Sequence, residues 1–434
     1  MISDKIKSGI NGEINIPGDK SISHRAIIIP SISNGVCEIS NILKSEDVLH
    51  TINAFRSMGV NIEEKKDKTI VYGRGLNSLK KPKNEIYLGN SGTSARLLTG
   101  LLSSQSFDTI IKGDKSLSSR PMDRIINPLK KMNARFESKD DYLPLKIIGN
   151  KLNNYRHNIL IPSAQIKSGL ILACLKTDGK STIIENHITR NHTEIMLESF
   201  GANIEVKKNM NTTSITIYGN KELKSNNLEI PSDLSSSSFF IVAAIINENS
   251  NIKLKNINLN PTRNGFLKAL NIMGAKIKYC NEKKINNEKV ADIEVSSSKL
   301  KGCELGENMA KLMIDEYPIL AIAASFANTP SIFRGLSELR VKESDRLELI
   351  KLNLNKCGIY CKIKNDDLYI DPLKKSDVKD KFIKTNFDHR IAMSFAVMGS
   401  KIGSLNIENP ESIKTSFPNF SKIFNQAGGN LIEK

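Results

Sequence analysis

Six copies of one phrase constrain the fold of this chain more than any other feature. A segment of helical period closes on Gly or Asn and passes into a strand pattern: AFRSMGVNIEE (54–64), PLKKMNARFES (128–138), MLESFGANIEV (196–206), ALNIMGAKIKY (269–279), LNLNKCGIYCK (352–362) and IFNQAGGNLIE (423–433). The closing residues are Gly59, Asn133, Gly201, Gly274, Gly358 and Gly428. A helix that ends in the left-handed conformation needs a residue without a Cβ clash, and Asn is the substitute that conformation tolerates best. Solenoid repeats usually run about 20–50 residues, and these lie nearer 70 apart, so a stack of small repeats does not fit.

Each copy also opens alike, with a short strand, a polar loop and an apolar helix. The openings are EINIPGDKSISHRAIII, EIYLGNSGTSARLLTGLL, NILIPSAQIKSGLILACL, LEIPSDLSSSSFFIVAAII, ENMAKLMIDEYPILAIAAS and KTNFDHRIAMSFAVMG. A second strand, loop and helix precede the closing residue, and a hairpin such as IEEKKDKTIVYG follows it. The repeat is therefore βαβαββ, and the fold class is α/β (α+β). The sixth copy stops after one strand of its hairpin, while the stretch before Gly18 is a spare strand region, so residues 1–17 are expected to pair with the C-terminal repeats. A chain of 434 residues exceeds one ordinary core. Two domains of three repeats are expected, 18–231 and 1–17 with 232–434, crossing near Pro17–Asp19 and Pro231–Asp233.

Composition narrows the function classes. Hydrophobic residues make up 39% and charged residues 25%, as in globular proteins. The start, MISDKIKSGI, lacks the apolar core of a signal peptide, and runs such as Phe239–Ile246 fall far short of the ~20 residues of a membrane span. A cytoplasmic protein without membrane partners is expected. Cysteines 37, 174, 280, 303, 357 and 361 form no CxxC pair, and reduced structural thiols are expected in place of zinc or disulfides. The net charge of +17 would suit nucleic acid. However, the lysines are spread along the chain with no basic tail or aromatic–basic stripe, which favours a lysine-rich surface and small anionic ligands.

Strand-to-helix loops end at helix N-termini, whose free N–H groups and positive dipole ends attract anions. Here those loops are rich in charged and hydroxyl residues. Taken singly, each has a plain explanation: Ser, Thr and Asp before a helix are commonly N-caps, GNSGT lacks the GK[ST] ending of a nucleotide P-loop, and RVKESDR has the charge pairs of a solvated helix face. Taken together, equivalent loops of all six repeats point to a site for anions.

At these loops the sequence resembles a known family. PGDKSISHR, LGNSGTSARLL, SLSSRPM, SAQIKSGL, RVKESDR, FDHRIAMSFA and KTSFP, in this order, resemble the 5-enolpyruvylshikimate-3-phosphate synthase family from about residue 13 to about residue 420. The resemblance implies a two-domain inside-out α/β barrel with the N-terminus swapped into the C-terminal domain. It implies transfer of the enolpyruvyl group of phosphoenolpyruvate to the 5-hydroxyl of shikimate 3-phosphate, with release of phosphate, in aromatic amino acid biosynthesis. By the same resemblance Asp315 is the base on the 5-hydroxyl, Glu343 the acid that protonates C3, and Lys20 a contact to both substrates that shares in proton transfer. Shikimate 3-phosphate is held by Lys20, Ser21, Arg25, Ser163, Ala164, Gln165, Arg190, Asp315 and Lys342. Phosphoenolpyruvate is held by Lys20, Gly92, Arg120, Gln165, Arg346, Arg390 and Lys414, with Asn90 and His389 in support. The planar arginine fork suits carboxylate and phosphate. No cofactor, metal or nucleic acid is implied, and a monomer is expected, with both halves contributing to one cleft.

Two rival readings fit the sequence less well. The transferase that acts on UDP-N-acetylglucosamine shares the six-repeat fold, but it has Lys-Asn after its first strand and a cysteine near the position of Arg120. Here Lys20 is followed by Ser21, and SLSSRPM has no cysteine. A non-catalytic basic binding protein would gain nothing from Asp315 and Glu343, which repel a polyanion.

Overall fold

The computed structural model describes residues 1–209, 212–375, 378 and 380–433. The chain divides into two compact halves. One contains Gly18–Ile230 with Ile285–Glu288, and the other Met1–Pro17, Pro231–Lys284 and Lys289–Lys434. Each half has its own hydrophobic core and three four-stranded sheets.

The sheets share one topology. In the second repeat Ile86–Tyr87 runs parallel to Thr109–Lys112, and Leu145–Ile148 lies antiparallel between Thr109–Lys112 and Arg135–Glu137. The third strand in sequence is thus the edge strand, and its hairpin returns the chain to the middle, as βαβαββ requires. All six closing residues adopt positive φ, from 70° at Asn133 to 107° at Gly428. The repeat phrase was therefore legible because it encodes a backbone conformation.

Two sheets depart from the simple repeat. The strand of EINIPGDKSISHR, Asn11–Ile14, pairs in parallel with Asn251–Asn258 of the fourth repeat. Conversely, the strand of LEIPSDLSSSS, Leu228–Glu229, pairs with Asn34–Ser40 of the first. The sequence openings joined each strand to the helix that follows it; here strand and helix belong to different halves, because the chain crosses in the polar loop between them. Ile2–Ser3 completes the sixth sheet, antiparallel to both Leu405–Ile407 and Leu431–Ile432.

Helices fill the interior of each half. Leu234–Ile246 and Tyr317–Ser325 are buried at every position, which explains why they show no polar face. Gly92–Ser103 and Ala164–Cys174 meet backbone to backbone, and a Cβ on Gly100 would lie 1.9 Å from the carbonyl oxygen of Gly169. No described helix is long and apolar enough to cross a membrane.

Candidate functional site

In the half built on Gly18–Ile230, the loop residues stand at helix N-termini. Asp19 caps Lys20–Ser31 by accepting from Ile22 N at 2.9 Å. Lys20 thus begins the helix with its Nζ 3.0 Å from Asp47 Oδ2. One turn on, Arg25 is almost fully buried, donating through Nε to Thr193 Oγ1 and through Nη2 to Ser168 Oγ, both at 2.6 Å. Its Nη1 donates to the Ser21 carbonyl at 2.7 Å. Burial pushes the Arg25 guanidinium down to about 10, against the pull of Glu194 and Asp19, and Arg190 is near enough to add to the lowering.

Ser163 and Ser91 cap the next two of these helices, Ala164–Cys174 and Gly92–Ser103. Gln165 in the first donates to Thr93 Oγ1 in the second at 3.1 Å. Arg120 donates to Asn90 Oδ1 and, at 3.0 Å, to Ser116 Oγ. Its Nε is buried and finds no acceptor among the described residues, which is unusual for a guanidinium and suits a donor meant for a ligand. Gly92 lies against this group: a Cβ there would stand 2.8 Å from Arg96 Nη1 and 3.4 Å from Arg120 Nη1. Below the loops, Ser91, Ser94, Thr51 and His24 form a hydroxyl–imidazole chain with successive contacts of 2.7 Å. Burial drives His24 well below the ordinary imidazole range, so it is neutral.

In the other half the site residues gather around one guanidinium. Arg346 opens the helix Arg346–Lys356 and its side chain is completely buried. Nε donates to Asp388 Oδ2 at 2.8 Å, Nη2 to Glu343 Oε2 at 2.5 Å and Nη1 to Asp315 Oδ1 at 3.4 Å. Burial opposes this charge, yet Asp388, Glu343 and Asp315 together hold its proton more tightly than usual. Lys342 Nζ lies 3.7 Å from Asp315 Oδ1, in the turn Ile314–Glu316. Arg390 donates to Ser235 Oγ at 2.5 Å and to the Asp315 carbonyl at 3.1 Å. His389 lies 3.4 Å from Thr415 Oγ1, next in sequence to the exposed Lys414.

A family model described as EPSP synthase (3-phosphoshikimate 1-carboxyvinyltransferase) matches residues 5–424. The chain belongs to the EPSP synthase family. The 3-phosphoshikimate 1-carboxyvinyltransferase of Ruthia magnifica subsp. Calyptogena magnifica is 44% identical over 431 residues, covering 98% of both chains. That of Thermoanaerobacter sp. (strain X514) is 43% identical over 425 residues, covering 98% of this chain and 99% of its own. The solved EPSP synthase from Acinetobacter baumannii superposes with a TM-score of 0.86 at 39% identity, covering 98% of each chain. The enolpyruvyl transferase NikO from Streptomyces tendae, at 14% identity and a TM-score of 0.78 over 99% of this chain and 97% of its own, shares the fold.

For this EPSP synthase family member, the sequence reading singled out the cations and the carboxylates Asp315 and Glu343 but not the groups that hold them. Asp47 carried no signal beyond an acidic first turn. Asp388 sat in the quoted FDHR motif and reads as an N-cap, which it is, accepting from Arg390 N at 2.9 Å. Its pairing with Arg346, 42 residues away, depends on tertiary structure. The buried cluster under Arg390 was also not foreseen: Ser235 donates to Glu316, and Arg263 Nη2 lies 3.2 Å from Asp233 Oδ1. Among the described residues no group of three or more His, Cys, Asp and Glu is arranged to hold a metal ion. The six cysteines are free, and burial raises the thiols of Cys37, Cys174, Cys357 and Cys361 to about 12.

Proposed function

We propose that this chain transfers the 1-carboxyvinyl group of phosphoenolpyruvate to the 5-hydroxyl of shikimate 3-phosphate, releasing phosphate and forming 5-enolpyruvylshikimate 3-phosphate. The observation that carries the reading is the Arg346 cluster, in which one buried guanidinium holds two partly exposed carboxylates, Asp315 and Glu343. Addition of an alcohol to the C2 carbon of an enol phosphate needs a base on the hydroxyl and an acid at the methylene. Asp315 takes the hydroxyl proton and Glu343 delivers one to C3; the new C–O bond forms at C2, and the adduct then loses phosphate and a methyl proton to restore the double bond. Lys20, Arg120, Arg346, Arg390 and Lys414, with Gly92 and Gln165, serve phosphoenolpyruvate. Lys20, Ser21, Arg25, Ser163, Ala164, Gln165, Arg190, Asp315 and Lys342 serve shikimate 3-phosphate, with Asn90 and His389 orienting their neighbours.

The reading takes residues 18–231 as one domain and 1–17 with 232–434 as the other, in a cytoplasmic monomer that uses no metal or cofactor. The test is phosphate release from phosphoenolpyruvate with shikimate 3-phosphate or UDP-N-acetylglucosamine as acceptor. Release with the first acceptor alone is expected, and no release between pH 6 and 9 overturns the reading. Lys20→Met and Glu343→Ala are each expected to lose most turnover while still binding shikimate 3-phosphate.

A further inference from the structure

The motifs SAQIK and RNHTE contain residues that the proposed reaction does not use. Lys167 is completely buried in the helix Ala164–Cys174. A buried ammonium needs acceptors for its protons and a counter-charge. Lys167 Nζ has Glu194 Oε1 at 2.8 Å, Glu185 Oε1 at 3.1 Å and the Thr189 carbonyl at 3.2 Å. Both glutamates are buried and share the one ammonium, and burial raises the Glu185 carboxyl above the ordinary carboxylate range. Of the charges that attract Arg25, that of Glu194 acts most strongly.

The residues next in sequence complete the arrangement. Ser168 follows Lys167 and Thr193 precedes Glu194, and these two hydroxyls accept from Arg25. Thr193 Oγ1 donates onward to Ser168 Oγ at 2.7 Å, and Ser168 Oγ to the Ala164 carbonyl at 2.7 Å. The hydrogen bonds thus run in one direction, from Arg25 through Thr193 and Ser168 to the first residue of the helix Ala164–Cys174. Three of the five guanidinium N–H groups of Arg25 are fixed by these contacts and Ser21. Stability alone is a poor account of the triad, since buried ion pairs can often be replaced by apolar groups at no loss.

We infer that Lys167, Glu185 and Glu194 are positioning residues for shikimate 3-phosphate. Their ion triad locks the helices Ala164–Cys174 and His192–Ser199 together, so that Thr193 and Ser168 aim the remaining N–H groups of Arg25 at the substrate anion. The inference rests on the substrate reading above.

The experiment compares the full chain with Glu194→Gln, Thr193→Val and Thr193→Ser. It measures steady-state kinetics in both substrates, calorimetric binding of shikimate 3-phosphate and thermal midpoints. Glu194→Gln and Thr193→Val are expected to raise KM and Kd for shikimate 3-phosphate about tenfold or more, while KM for phosphoenolpyruvate and kcat move about threefold or less. Thr193→Ser, which keeps the hydroxyl, restores nearly normal binding. If Glu194→Gln fails to fold, Glu185→Gln, which leaves the Lys167–Glu194 pair in place, is measured in its stead with the same expected rise, and Thr193→Val tests the hydroxyl link. Equal rises in both KM values, or a lower thermal midpoint with Kd unchanged, overturns the inference. A wild-type chain that neither binds shikimate 3-phosphate nor releases phosphate overturns the substrate reading instead.

Discussion

Replacing Asp388 with Asn removes a charge from the deepest part of the arginine cluster and turns the oxygen that accepts from Arg346 Nε and Ser344 Oγ into a donor. The amide keeps the shape of the side chain, and its oxygen can still accept from Arg390 N, so the cap, worth about 1 kcal/mol, is retained. The change leaves Arg346, completely buried, without the counter-charge that is as deeply buried as itself. Removing one partner of a buried ion pair costs about 3–5 kcal/mol. Glu343 and Asp315 still contact the same guanidinium, and both are partly exposed, which places the loss near the lower end, about 3 kcal/mol. For a half of roughly 200 residues each kcal/mol lowers the midpoint by about 2–4 °C, so a fall of roughly 6–12 °C is expected. Turnover should fall as well, by about a hundredfold, because a shift of about 1 Å in a positioning group has that effect. Circular dichroism melting at pH 7.5 and the phosphate-release assay measure the two. A midpoint within about 2 °C of wild type would refute the argument that this buried pair organises the cluster.

Three further outcomes follow from the same packing. Gly92→Ala brings a methyl group against the ends of Arg96 and Arg120, and KM for phosphoenolpyruvate should rise about tenfold with little change in melting; an unchanged KM would show that Arg120 is not crowded. Gly100→Ala drives a methyl group into the Gly169 backbone and should cost more than about 3 kcal/mol in urea unfolding, whereas Gly306→Ala, in open space, should cost less than about 0.5 kcal/mol; equal losses would contradict the helix contact. His24 stays neutral when folded, so below pH 6.5 only the unfolded chain gains its proton, and stability falls as the pH drops through that value by up to about 1.4 kcal/mol per unit. His24→Gln should flatten melting against pH between 6.5 and 5, and an unaltered slope would mean that the imidazole does not resist protonation.

What could be read from the sequence was what is local. Gly59 and its five equivalents mark a backbone conformation that few residues adopt, so the repeat was visible without any knowledge of packing. Loop residues such as Ser91, Ser163 and Asp388 announced helix starts for the same reason. Partner choice was not legible. Nothing near Asp47 indicates Lys20, and nothing near Glu185 or Glu194 indicates Lys167, because those distances are set by how the helices pack. The exchanged strands were half visible: the spare segment before Gly18 implied pairing elsewhere, but its regular spacing to the next helix read as one continuous opening.

The exchange of Asn11–Ile14 for Leu228–Glu229 has a consequence for biogenesis. The first strands to leave the ribosome are needed by sheets whose other members are translated last, since Ile2–Ser3 sits between Leu405–Ile407 and Leu431–Ile432. At about 5–20 residues per second, Ile2–Ser3 waits on the order of 20–90 seconds for its neighbours, and Asn11–Ile14 about 10–50 seconds for Asn251–Asn258. Residues 18–230 encode every strand of their own three sheets and can close while synthesis continues. A nascent chain paused after residue 230 would therefore hold the three sheets of one half, still without Ile285–Glu288, and a tail of 17 residues with nowhere yet to bind.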